Sequence, residues 1–99
     1  MSNRPTATIE KVRVAGLAMS PKFEPGALIE VQRIPLEKIV EGECYMIHLN
    51  DQDIIRRIWL KQNGTSILHA SAENPKFPDF DIPDHMVKGI SVIRMISPN

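Results

Sequence analysis

The chain is poor in cysteine, in aromatic residues and in excess charge of either sign, and each shortage closes off a class of protein. One cysteine, Cys44, in 99 residues excludes an internal disulfide and fits a reducing, cytoplasmic setting. Its neighbours Tyr45, Met46 and Ile47 place it on a strand, where an inert buried thiol is expected. Twelve basic and twelve acidic residues leave a formal charge of zero. No basic face is evident, so these residues alone are expected to bind nucleic acid poorly, because phosphate contacts need clustered Lys or Arg. No apolar run approaches the roughly 20 residues that span a bilayer, and no secretory leader is read, so no membrane partner is expected. His48, His69 and His85 are far apart and, with a single cysteine, make no metal-ligand spacing. No cofactor is implied.

What the chain does have is a hydrophobic share of 42%, enough for one modest domain. Residues 1–10 read as a flexible lead-in and residues 11–99 as the domain. Short strand-like runs separated by turn chemistry predict a mostly β fold. Residues 11–14 alternate polar and apolar, residues 27–32 rebuild a strand after a Pro- and Gly-rich bend, and 43–49 and 53–61 flank a turn at 50–52. One helical turn is expected near residues 36–39. Asn63-Gly64 is the strongest hairpin signal, since both residues tolerate positive φ. Residues 73–84 contain Pro75, Pro78 and Pro83 and read as an ordered loop rather than a strand. Residues 87–97 form the last strand, with Gly89 marking a bulge. Met19, Met46, Met86 and Met95 read as core or interface fillers.

Residues 14–26, Val-Ala-Gly-Leu-Ala-Met-Ser-Pro-Lys-Phe-Glu-Pro-Gly, carry the most information. They resemble the active-site segment of the self-cleaving C-terminal domains of the LexA and phage-repressor family, which typically reads Val-x-Gly-Asp-Ser-Met-x-Pro followed by a second Gly-Asp. Gly16, Met19, Pro21 and Gly26 match. Leu17 and Ala27 stand where the family has aspartates, and Ala18 stands at the serine. The strand 53–59, Asp-Ile-Ile-Arg-Arg-Ile-Trp, resembles the strand that carries the family's lysine base, and its lysine position falls on Arg56. Residues 73–78 and 87–93 resemble two further family segments, so the likeness runs from about Val12 to Ile96. The implied fold is a small twisted antiparallel sheet or partly open barrel of the LexA and signal-peptidase type, with irregular Pro-rich loops.

The chemistry of the two replacements is unequal to the family's reaction. A methyl group at Ala18 cannot attack a carbonyl. Bringing a lysine from about 10.4 to about 7 takes roughly 4 to 5 kcal/mol, whereas arginine, starting well above lysine, needs roughly 9 kcal/mol. The only Ala-Gly bond, Ala15-Gly16, lies too close to Ala18 to be presented to it. The resemblance therefore implies a non-catalytic dimerisation and regulatory domain of a prophage-type or LexA-like repressor. Ala18 and Arg56 are vestigial catalytic positions, and Gly16, Leu17, Met19, Pro21 and Arg57 form a vestigial cleft. Homodimerisation is expected through the last strand, with Ile90, Val92, Arg94 and Ile96 at the interface. DNA would be reached only through a helix-turn-helix unit outside these residues. Two alternatives stay open: a serine peptidase of this family inactivated by Ser-to-Ala at position 18, and a decoy that pairs with an intact repressor. Gly16 to Pro21 also has a plainer reading, as a turn kept for folding.

Overall fold

The computed structural model describes residues 9–61 and 67–97. The strands are β1 (Ile9–Arg13), β2 (Leu28–Ile34), β3 (Cys44–Leu49), β4 (Asp53–Leu60), β5 (Ile67–Ser71), β6 (Phe80–Pro83) and β7 (Val87–Ser97), with single 3-10 turns at Leu36–Lys38 and Asp84–Met86. All pairings are antiparallel, and the seven strands form one sheet in the order β1-β2-β7-β3-β4-β5-β6. The domain is mostly β, as the strand-and-turn pattern predicts. The sheet is open: β1 and β6 are its two edges and do not pair with each other, so the barrel form of the expectation does not apply.

Burial explains why the strands are spaced as they are. β2 alternates, with Ile29 and Val31 buried between half-buried neighbours, the signature of a strand with one apolar face. β3 lies in the interior of the sheet, and Tyr45, Met46, Ile47 and His48 are all buried in succession, because apolar material covers both of its faces. On one face Ile29, Val31, Met46 and Ile55 pack under Val14, Met19, Phe23 and Ala27 of the 14–27 loop. On the other, Tyr45, Ile47, Ile58, Leu68, Ala70, Ile82 and Ile90 form a second cluster. Met19 and Met46 are core residues, whereas Met86 and Met95 are exposed. Cys44 is half-buried in β3, and burial raises its thiol above the ordinary value of 9.0, which keeps it protonated and unreactive near neutrality.

Several expectations are corrected. β1 begins at Ile9, within the stretch read as lead-in. The Pro-rich segment contains a short strand, β6, whose Phe80 to Pro83 pair with β5; Pro83 is its final residue, where a missing N–H costs the ladder least. Next to Gly89 the register slips, with His48 opposite Gly89 and Leu49 opposite Val87, so Lys88 is an extra residue at the expected bulge. A second slip leaves Ile96 unpaired between Met95 and Ser97. The Asn63-Gly64 hairpin signal falls outside the described residues. The largest correction concerns β7, the strand expected to carry the dimer interface. It lies between β2 and β3, paired with both. Ile90 is fully buried and Val92 is half-buried against the second cluster. Of the four residues assigned to a dimer interface, only Arg94 and Ile96 are exposed.

Ile47 and Ile58 have no exposed surface and belong to the cluster that β3, β4, β5, β6 and β7 share. Ile47→Ala is expected to lower unfolding free energy by about 2 to 5 kcal/mol, read as an earlier midpoint in urea. An equal change at exposed Ile96 is expected to cost well under half as much.

Candidate functional site

The 14–27 loop is held by its own backbone. Val14 N–H donates to Ala27 O at 2.9 Å and Gly26 N–H to Val14 O at 2.8 Å, while Phe23 N–H closes a turn onto Met19 O at 2.8 Å. Gly16 and Gly26 have φ of 81° and 88°, a region that side chains with a Cβ rarely enter, so both glycines of the motif serve the turn geometry directly. Ser20 Oγ donates to Glu24 Oε1 at 2.6 Å, a bond within the loop itself.

A second segment clasps this loop from across the sequence. Asn74 N–H donates to Ala18 O at 2.9 Å and Asn74 Nδ2 donates to Leu17 O at 3.0 Å. Asn74 is in turn fixed by its neighbour, because Arg57 forms an ion pair with Glu73 and donates to Gly42 O. Arg57 was assigned to the cleft itself. It instead anchors the segment that holds the loop in place, and it does not line the cavity beside Ala18. Pro21 is also away from the lining, exposed on the outer part of the loop.

Beside the loop lies an open cavity of about 460 Å³. Gly16, Leu17, Ala18 and Met19 form one wall, and residues 52–56 of the β3–β4 turn and β4 form the opposite one, with Phe77 also contributing. Ala18 and Arg56 thus line the same space. By register Arg56 belongs to the other face of the sheet, opposite Tyr45. It reaches the cavity because β4 has no neighbour beyond residues 53–56: pairing with β5 starts only at Arg57. The side chain wraps around this open edge, and Nη1 donates to Ile55 O at 2.8 Å. Its Cζ lies 5.7 Å from the Phe80 ring centroid. Arg56 Nε is buried without a hydrogen-bond partner. Burial pushes the guanidinium down from its ordinary value, but a neutral population near pH 7 needs roughly 9 kcal/mol of differential interaction.

One polar constellation escaped the sequence reading. His48 Nδ1 is 2.9 Å from Asp53 Oδ1 and its Nε2 is 2.8 Å from Ser91 Oγ. With Nδ1–H donating to Asp53, Nε2 accepts from the serine hydroxyl, the connectivity of a Ser–His–Asp triad. A nucleophile also needs room for a reacting carbon about 3 Å away. Ser91 is 1% exposed in the middle of a strand paired on both sides, and the Arg33 guanidinium overlies adjacent Gly89, so close that a Cβ there would meet Nη1 at 2.7 Å. The network is a clamp across β7, β3 and β4, not a nucleophile. His48 and Ser91 lie 43 residues apart, and only the polar residues inside otherwise apolar strands signal the network. No group of three or more potential metal ligands occurs among the described residues, and no helix is long and apolar enough to cross a membrane.

A glycine-punctuated loop and an open strand edge facing each other across a cavity, on an antiparallel sheet, define a small peptidase-like β domain. The sequence model of the Peptidase S24-like family matches residues 5–94. The chain belongs to that family, which includes the C-terminal domains of LexA and the phage repressors. No curated protein and no solved structure matches it.

Two predictions follow from these side-chain networks. Ser91→Ala strands the buried imidazole Nε2 and is expected to cost about 1 to 3 kcal/mol, measured by urea unfolding. The second concerns His69, which lies 2.8 Å from Asp81 and 3.2 Å from Asp79, with Lys61 also on Asp81. The Asp81 hydrogen bond, with Asp79 adding to it, raises His69 above 6.5. His69, with Lys61 beside it, lowers Asp81 below 3.8. A raised imidazole stabilises fully below the unfolded value and ceases to as pH rises through the folded one; a lowered carboxylate stabilises above its unfolded value and ceases to as pH falls. The contribution of this cluster is therefore greatest between about pH 4 and pH 6.5. His69→Gln is expected to flatten the decline in unfolding free energy above pH 6.5.

Proposed function

We propose that this chain is a non-catalytic assembly and regulatory domain of a LexA-like or prophage-type transcriptional repressor, working in the cytoplasm and reaching DNA through a helix-turn-helix unit outside these residues. The observation that carries this reading is the cavity in the family's frame, lined by a methyl group at Ala18 and by a charged guanidinium at Arg56. Acyl transfer by a serine–lysine pair needs an oxygen nucleophile and a base with a neutral population, and neither residue supplies one. Leu17 and Ala27 add to this, since four departures from one active-site pattern are simpler to assign to divergence than to a single inactivating change.

Assembly is argued from the tail of β7. Pairing with β3 ends at Val92 opposite Tyr45, and residues 93–96 run on beyond that ladder. Met95 and Ile96 are 44% and 43% exposed there, and Arg94 is exposed beside them. A second copy meeting this tail about a two-fold axis would cover those side chains. The interface is thus assigned to Arg94, Met95 and Ile96 rather than to Ile90 and Val92.

Sedimentation equilibrium over a concentration series is expected to give a dimer that Ile96→Glu weakens, with far-ultraviolet circular dichroism unchanged. A monomer at the highest concentration would remove the assembly reading. Restoring the serine provides the second test. Ala18→Ser is expected to give neither self-cleavage nor labelling by a fluorophosphonate, because Arg56 stays protonated; cleavage would favour an inactivated peptidase instead.

A further inference from the structure

Among the described residues, three side-chain ties hold residues 72–79, the connection from β5 to β6, against the body of the domain. Glu73 forms its ion pair with Arg57. Asn74 donates its N–H to Ala18 O and its Nδ2 to Leu17 O, at 2.9 Å and 3.0 Å. It is also the hub of a turn, accepting from Lys76 N–H at Oδ1 and from Phe77 N–H at its carbonyl, each at 3.0 Å. The third tie is Asp79 on His69 Nε2 at 3.2 Å. The segment that clasps Leu17 and Ala18 is thus secured at its far end by an imidazole on β5.

That imidazole carries two carboxylates at once. His69 stands opposite Trp59 of β4 and Asp81 of β6, with Nδ1 2.8 Å from Asp81 Oδ1 and Nε2 3.2 Å from Asp79 Oδ2. An ionised carboxylate only accepts, and a neutral imidazole has a single N–H to give. Both bonds therefore exist together only on the imidazolium. Loss of its proton sets a ring lone pair against one of the carboxylates. Asp81 keeps the remaining N–H: its bond is the shorter, Lys61 Nζ holds it at 3.3 Å, and the β5–β6 ladder fixes its backbone. Asp79 lies in the connection, outside the ladder, and is the one repelled. The other neighbours do not replace it. Trp59 is uncharged, its ring centroid 6.1 Å from that of His69, and Arg57, opposite Ser71, is committed to Glu73. The Asp81 hydrogen bond, with Asp79 adding to it, raises His69 above its ordinary 6.5, so the change falls on the alkaline side of that value.

We propose that a single proton on His69 works as a latch for residues 72–79. With the imidazolium the segment is pinned at Asp79 as well as at Asn74, and lies closed on Leu17 and Ala18. With the neutral ring Asp79 is released and the segment opens more often. Opening carries Asn74 away from the two loop carbonyls and displaces Phe77 beside it. The sign follows from the two protonation states: a raised imidazole holds below its unfolded value and lets go as pH rises through the folded one. How firmly the 14–27 loop is clasped thus becomes a function of pH near neutrality, the range in which an unperturbed imidazole changes charge. The latch rests neither on the absence of catalysis nor on dimerisation, and its failure would leave both readings standing.

The test is a pH titration of the whole chain from about pH 5.5 to about pH 8.5. The His69 ring is followed by the shifts of its carbon-bound protons. The amides of Asn74 and Phe77 are followed by hydrogen exchange, corrected for the intrinsic rate at each pH. Protection of both amides is expected to fall about two- to fivefold, the size set by one exposed charge pair, with the midpoint of the His69 titration. The amide of Ile58, bonded to Glu43 O in the sheet, reports global unfolding and is expected to change less. Asp79→Asn is expected to abolish the dependence while keeping the segment closed throughout, since an amide donates to a neutral ring as readily as it accepts from a charged one. A role in stability alone would instead lower protection at every pH. In the native chain, protection that ignores the His69 midpoint, or an equal fall at Ile58, would overturn the latch, and so would a pH dependence that survives Asp79→Asn.

Discussion

The pairing of β7 with both β2 and β3 is the constraint on which the rest of the sheet depends. Among the described residues no ladder joins β2 to β3; the β1–β2 pair and the β3-to-β6 meander meet only through β7. Ile90 of β7 belongs to the cluster beneath the meander, while Ile93 packs against the cluster beneath the 14–27 loop. Both cores are therefore completed by the last element of the sheet. The ordering entropy of the earlier strands is offset only once these long-range contacts form, so the domain is expected to be slow-folding and cooperative for its size.

The cavity inherits its shape from this arrangement. The loop over the first cluster brings Ala18 to one wall, and Asn74, secured by the Arg57–Glu73 pair, fixes the loop from the far side. β5 ends at Ser71, opposite Arg57, and so does not cover residues 53–56 of β4, which leaves the opposite wall as an open edge. Arg56 lies at that edge, its Nη1 donating to the Ile55 carbonyl and its Cζ 5.7 Å from the Phe80 ring centroid.

Much of the fold was legible because burial writes itself into sequence. The alternation in β2, the continuous apolar run of β3 and the branched residues of β7 each located a strand, and Gly89 located a bulge. β6 was not legible: four residues ending in Pro83 and following Pro78 look like a loop, and only pairing with β5 makes them a strand. The position of β7 was unreadable for a different reason, since an exposed edge and a central strand can carry the same β-branched run. At the site, Gly16, Leu17, Ala18, Met19 and Arg56, which resemblance groups together, line one cavity. Arg57 and Pro21 do not, because adjacency in a motif does not say which side of a strand or loop faces the cavity. The His48–Asp53–Ser91 clamp and the Asn74 clasp join residues too distant in sequence for spacing to connect them.

The same edge of β4 also bears on how the chain behaves in a crowded solution. An open sheet presents rows of unpaired donors and acceptors, and such rows template aggregation unless something blunts them. β1 does so with Glu10, Lys11 and Arg13, and β6 with its brevity and Pro83. Residues 53–56 are guarded by the charges of Asp53 and Arg56, with the Arg56 head group folded onto the Ile55 carbonyl. Two side chains thus keep the sheet from recruiting unrelated strands, and apolar residues in their place would leave an adhesive seam on an otherwise well-guarded surface.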